Sequence, residues 1–133
     1  MIYSNDAMTP EQLYDFVVES GGTIQKLSDS FTQGCIQKQD EVIWIRHDDQ
    51  YFLGELEKAE WDDLRENHHI VPQMSVIISI GLNGNKQRSI SLARWFCRQL
   101  QLRLPHSVVD IFDRFYPLDM IDNIETGKTE VQT

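Results

Sequence analysis

Residues 74–116 read MSVIISIGLNGNKQRSISLARWFCRQLQLRLPHSVVDIFDRFY, and this stretch decides the fold. Val76 to Ile80 is apolar at every position but Ser79, the pattern of a central strand covered on both faces. Gly81 through Lys86 turns the chain. From Ser89 to Leu102 the apolar period becomes helical, with Ile90, Ala93, Cys97, Leu100 and Leu104 on one stripe and Phe96 beside it. Gln87, Ser91, Arg94, Arg98 and Gln101 fall opposite. Pro105 stops the helix, and Val108 to Phe112 reads as a last strand. Strand, helix and strand over 76–112 are long enough for a right-handed parallel crossover.

Upstream, Thr9-Pro10-Glu11-Gln12 is a helix start. Thr9 can cap, Gln12 completes a capping box, and Pro10 takes the first helical position. Leu13, Phe16 and Val17 form its apolar stripe, and Gly21-Gly22 ends a helix spanning about 10–20. Short strands follow at 23–27 and 35–38. Glu41 to Arg46 is rich in β-branched and aromatic residues and pairs back as a hairpin. Residues 56–67 have a helical pattern, with Leu56, Ala59, Trp61 and Leu64 on an apolar edge and Glu57, Glu60, Asp62, Asp63 and Glu66 on an acidic face. A short helix is expected near 117–121.

The expected fold class is therefore α+β, a single domain with a mixed β-sheet of about five strands and helices packed mainly on one face. Residues 1–8 read as a flexible lead-in or an edge strand, 9–125 as the domain, and 126–133 as a disordered tail. At 133 residues, with 41% hydrophobic and 25% charged residues, the chain has the size and composition of one soluble globular domain. The N-terminal residues lack a basic region followed by an apolar core, and no apolar run reaches the roughly 18 residues that span a bilayer. Cys35 and Cys97 stand far apart with no C-x-x-C spacing, which points to buried free thiols and a cytoplasmic setting.

Motifs for chemistry fail on spacing. The loop Gly81-Leu82-Asn83-Gly84-Asn85-Lys86, before Ser89, sits where a phosphate-binding loop would, but has two residues between its glycines where a P-loop needs four. His68-His69, His47 and His106 lack the i, i+4 or i, i+2 spacing of metal ligands. No serine stands in G-x-S-x-G, and nothing pairs Cys35 or Cys97 with a base. Asp110 and Asp113 lie in or beside the last strand without a partner motif. The expectation is no catalytic residue, no metal and no cofactor.

Charge is informative instead. The formal net charge is −9, and residues 40–66 alone hold ten acids against three bases. Residues 86–103 hold five bases and no acid: Lys86, Arg88, Arg94, Arg98 and Arg103. An overall acidic chain repels phosphates, which disfavours nucleic acid as a partner and favours a basic protein. Asp48, Asp49, Glu55, Glu57, Glu60, Asp62, Asp63 and Glu66 interleave with Tyr51, Phe52 and Trp61. Aromatics anchor an interface and acids steer a basic partner.

The late unit of apolar strand, G-x-N-G turn, S-x-x-L-A helix and short strand is carried by Val76–Gly81, Asn83-Gly84, Ser89 with Leu92-Ala93, and Val108–Asp113. In a small, acidic, cysteine-poor chain, it resembles immunity proteins of bacterial polymorphic-toxin and contact-dependent growth inhibition systems. The likeness covers about a third of the sequence. It implies a non-catalytic inhibitor that binds a cognate toxin, often a nuclease, and blocks its active site. Binding residues are not shared across that family, so none carries over.

The charge pattern agrees, because nuclease sites are basic where they hold phosphates. The expected partner surface comprises Asp48, Asp49, Tyr51, Glu55, Glu57, Glu60, Trp61, Asp62, Asp63 and Glu66. The alternatives are a small acidic adaptor or regulatory subunit of a larger complex, and a small enzyme whose site assembles only in space.

Overall fold

The computed structural model describes residues 1–29, 31–48, 51–80, 86–111 and 114–123, without the side chains of 51, 52, 86, 122 and 123. In chain order the elements are β1 (Ile2–Ser4), α1 (Pro10–Glu19), β2 (Thr23–Ser28), β3 (Phe31–Lys38), β4 (Glu41–Asp48), α2 (Tyr51–Glu55), α3 (Lys58–His68), β5 (Met74–Ile80), α4 (Lys86–Gln101), β6 (Ser107–Ile111), β7 (Arg114–Pro117) and a 3₁₀ turn (Leu118–Asn123). The class is α+β, as the sequence reads. The sheet is larger than expected and entirely antiparallel between neighbours, with seven strands among the described residues in the order β2-β3-β4-β5-β1-β6-β7.

The main correction concerns the N-terminal residues. Ile2, Tyr3 and Ser4 are neither a lead-in nor an edge strand but an interior strand, paired with Val76, Ser75 and Met74 on one side and Val109, Val108 and Ser107 on the other. Three residues are too few to show a period, and both partners are distant in sequence. The crossover expected over 76–112 survives in altered form. β5 and β6 are each antiparallel to β1 and so run parallel to one another, but β1 fills the slot between them. The expected tail at 126–133 lies outside the described residues.

Two cores form, one on each face. On the first, Leu13, Phe16 and Val17 of α1 and Leu92, Phe96, Cys97 and Leu100 of α4 pack with Ile2, Ile36, Ile43, Ile45, Met74, Val76 and Val109. The buried line of α4 runs through Leu92, Phe96 and Leu100, rotated from the expected stripe, whose Ile90 and Ala93 are only half-buried. The buried Ser89 hydroxyl is satisfied by the Val42 N–H at 3.3 Å.

On the second face, Leu53, Leu64 and Ile70 cover Tyr3 and Val108, with Leu56, Trp61 and Phe115 packed around them. Helices therefore lie on both faces. The expectation of one helical face fails because the narrow apolar edge of 56–67 suffices to bury a helix beside β1 and β6.

The start of α1 has the capping box read from sequence. The Thr9 hydroxyl accepts from the Gln12 N–H at 3.1 Å, and the Gln12 side chain accepts from the Thr9 N–H at 2.9 Å. The helix sits close on the β2–β3 hairpin because Gly22 has no side chain. A Cβ there would lie 2.6 Å from the Cys35 carbonyl oxygen and 2.7 Å from Val17 Cγ1. No helix among the described residues is long and apolar enough to cross a membrane.

Candidate functional site

The second face of the sheet carries the acidic segment. Backbone register aligns one row across five strands: Asp48, Ser75, Tyr3, Val108 and Pro117. Tyr3 is buried at its centre, edge-on to Phe115 with ring centroids 5.8 Å apart. Burial pushes its phenol up to about 12, and the neighbouring carboxylates of Asp110, Glu60 and Asp48 push the same way. Three acids from β4, α3 and β6 thus converge on one tyrosine that the sequence analysis did not single out. No local pattern could have found it, since strand pairing and the packing of α3 on the sheet together bring these charges near it.

On α3, Trp61, Leu64 and His68 follow i, i+3, i+7 spacing and face the sheet. Trp61 packs against the second core, and the His68 ring sits edge-on to Phe115 at 6.1 Å. Trp61 therefore holds the helix down and is not a free anchor. The rest of the helix displays charge. Asp62 accepts from Lys58 Nζ at 2.9 Å and from an Arg65 terminal nitrogen at 2.8 Å. The hydrogen bond from Lys58, with the charges of both bases, holds its carboxyl below the usual range. Asp63 accepts from the Asn67 amide at 2.6 Å and lies 3.9 Å from His68 Nε2. Glu60 closes the helix start by accepting from the Glu57 N–H at 3.0 Å.

The expected partner residues thus separate into groups. Glu55, Glu57 and Glu66 are exposed, and the Glu66 side chain is 68% accessible although Arg65 lies 3.8 Å away. Glu60, Asp62 and Asp63 are on the surface but already engaged within the helix. Asp48 is buried at the end of β4, where its carboxylate accepts from the Ser75 hydroxyl at 3.2 Å. It cannot be offered to a partner without opening the sheet. Asp49 and the side chain of Tyr51 lie outside the described residues.

Both thiols are poor nucleophiles. Burial pushes Cys97 up to about 12 and raises Cys35. No group of three or more His, Cys, Asp or Glu among the described residues is arranged to hold a metal. His106 hydrogen-bonds Asp6, with Nδ1 3.3 Å from Oδ1, while His47 is held by the Met8 carbonyl at 2.6 Å.

The other half of the second face, across β2 to β5, carries Phe31, Val42, Trp44 and Ile77, which belong to neither core. At its edge, the Arg46 guanidinium lies 4.3 Å from the Phe31 ring centre. The sequence shows Val42, Trp44 and Arg46 alternating, but not which side of the sheet the helices would leave to them.

No protein-family model matches the chain, and no curated protein or solved structure matches it either. What fold and surface define is an α+β domain that carries an acidic helix, α3, on one face of its sheet.

Proposed function

We propose that this protein is an inhibitor of the immunity type, which binds and neutralises a cognate bacterial toxin domain, a basic nuclease, through the acidic surface of α2 and α3. The observation that carries this reading is the density and mounting of charge. Residues 55–66 hold six acids and two bases. The Trp61 and Leu64 side chains fix that segment against the buried Tyr3 and Val108. Carboxylates held on a packed helix keep their spacing when a partner arrives, so little ordering entropy is lost on binding. Glu55, Glu57 and Glu66 are the most exposed acids of this segment and the ones placed to meet a phosphate-binding surface, with Glu60 and Asp63 flanking them. Their field accelerates encounter with a basic domain and disfavours acidic competitors.

Co-expression tests the reading. A toxin domain encoded beside this chain should be lethal alone and tolerated with it, and the two should purify together. Lethality unchanged by co-expression, with no complex, refutes it.

A further inference from the structure

The ladder between β3 and β4 runs from Lys38↔Glu41 to Gly34↔Ile45 and then stops, although both strands continue. Beyond that point a side chain replaces the ladder. The Tyr14 hydroxyl of α1 donates to the Thr32 carbonyl at 3.0 Å and accepts from the His47 N–H at 3.2 Å. The parted strand ends and the start of α1 flank an open cleft of about 400 Å³.

Arg46 lines this cleft, laid on Phe31 at 4.3 Å and half-buried. Among the described residues its guanidinium makes no ion pair, even though the chain carries a net charge of −9. Arg65, Arg88 and Arg103, by contrast, are each within 4 Å of a carboxylate. Glu11 and Asp29 also line the cleft, but neither closes on Arg46. A guanidinium held over a ring by a cation–π contact still has its fork of donors to offer a planar carboxylate. Two acids on the same cleft favour a ligand that also carries a positive group.

We propose that this cleft binds a small zwitterion of the α-amino acid class, its carboxylate on Arg46 and its ammonium toward Glu11 and Asp29. Tyr14 and Phe31 supply apolar wall for the side chain, and the volume lies in the range of small-molecule sites. This site is independent of the acidic surface on α2 and α3.

Titration of the ¹⁵N-labelled full chain with each free L-amino acid in turn tests the proposal, read by NMR at the Thr32 and His47 amides and the Arg46 Nε–H. At least one amino acid should give saturable shifts clustered at these three groups. Its N-acetyl derivative and its carboxamide should each bind about tenfold more weakly or worse, since each lacks one charge. Arg46→Gln should weaken binding by a similar factor, and the exposed Glu11→Gln provides a second variant if Arg46→Gln does not fold. The proposal is overturned if no amino acid saturates, if the N-acetyl form binds as well as the parent, or if whichever variant folds retains wild-type affinity.

Discussion

Ile2 is the position where the sequence and the structure disagree most sharply, and Ile2→Ala separates them. In a flexible lead-in this change would cost less than about 0.5 kcal/mol. In the structure Ile2 is 1% exposed, lies between Val76 and Val109, and belongs to the first core. Three buried carbons are lost, roughly 2.4 kcal/mol at about 0.8 kcal/mol each. A residual cavity of up to about 80 Å³ adds as much as ~2 kcal/mol, reduced where neighbours relax. The expected loss is about 3–4 kcal/mol. For 133 residues, the unfolding entropy typical of globular chains turns this into a Tm lower by roughly 10–14 °C. Urea unfolding followed by circular dichroism reads the change, with Val18→Ala, at a position 51% exposed, as the control. A loss below about 1 kcal/mol for Ile2→Ala would refute the central placement of β1.

Four further outcomes are expected. Gly22→Ala should cost about 1–3 kcal/mol in chemical denaturation, because its Cβ meets the Cys35 carbonyl at 2.6 Å. Gly54→Ala, with nothing within 4 Å, should be neutral or stabilise by up to about 1 kcal/mol. Tyr14→Phe leaves the Thr32 carbonyl and the His47 N–H without their side-chain partner and should cost about 1–3 kcal/mol by the same assay. Stability should fall in alkali. Tyr3 stays neutral in the fold to about pH 12 but ionises near 10 when unfolded, so its contribution is complete below pH 10 and lost as pH rises toward 12. Unfolding measured from pH 9 to 12 should show a shallower decline for Tyr3→Phe than for the wild type.

Local signals carried much of the fold. The Thr9 and Gln12 capping box, the β-branched run in β4 and the strand–helix–strand order of 74–116 all depend on neighbours within a few residues, and each formed as read. What stayed hidden depends on pairing at long range. Ile2-Tyr3-Ser4 becomes a strand only because β5 and β6 leave a slot for it. The side taken by α3 depends on Tyr3 and Val108 meeting across that slot.

The candidate surface divides in the same way. That 56–67 is acidic with a helical period is written in its spacing, and α3 forms over Lys58–His68. That Asp62 is tied to Lys58 and Arg65, that Asp48 is buried under Ser75, and that Trp61 belongs to a core follows only from three-dimensional packing. The Arg46 cleft brings together Tyr14, Phe31 and Arg46, residues from three separate elements with no shared motif.

The central claim is that α2 and α3 meet a basic toxin domain through charge. The most direct measurement is the association rate of the intact chain with the toxin domain encoded beside it, by stopped flow across a salt series. The wild type is compared with Glu55→Lys/Glu66→Lys, which alters two exposed carboxylates outside the cores. The account predicts an association rate that falls steeply with ionic strength and drops about 10–100-fold in the double variant. A rate indifferent to salt and to both reversals would contradict it.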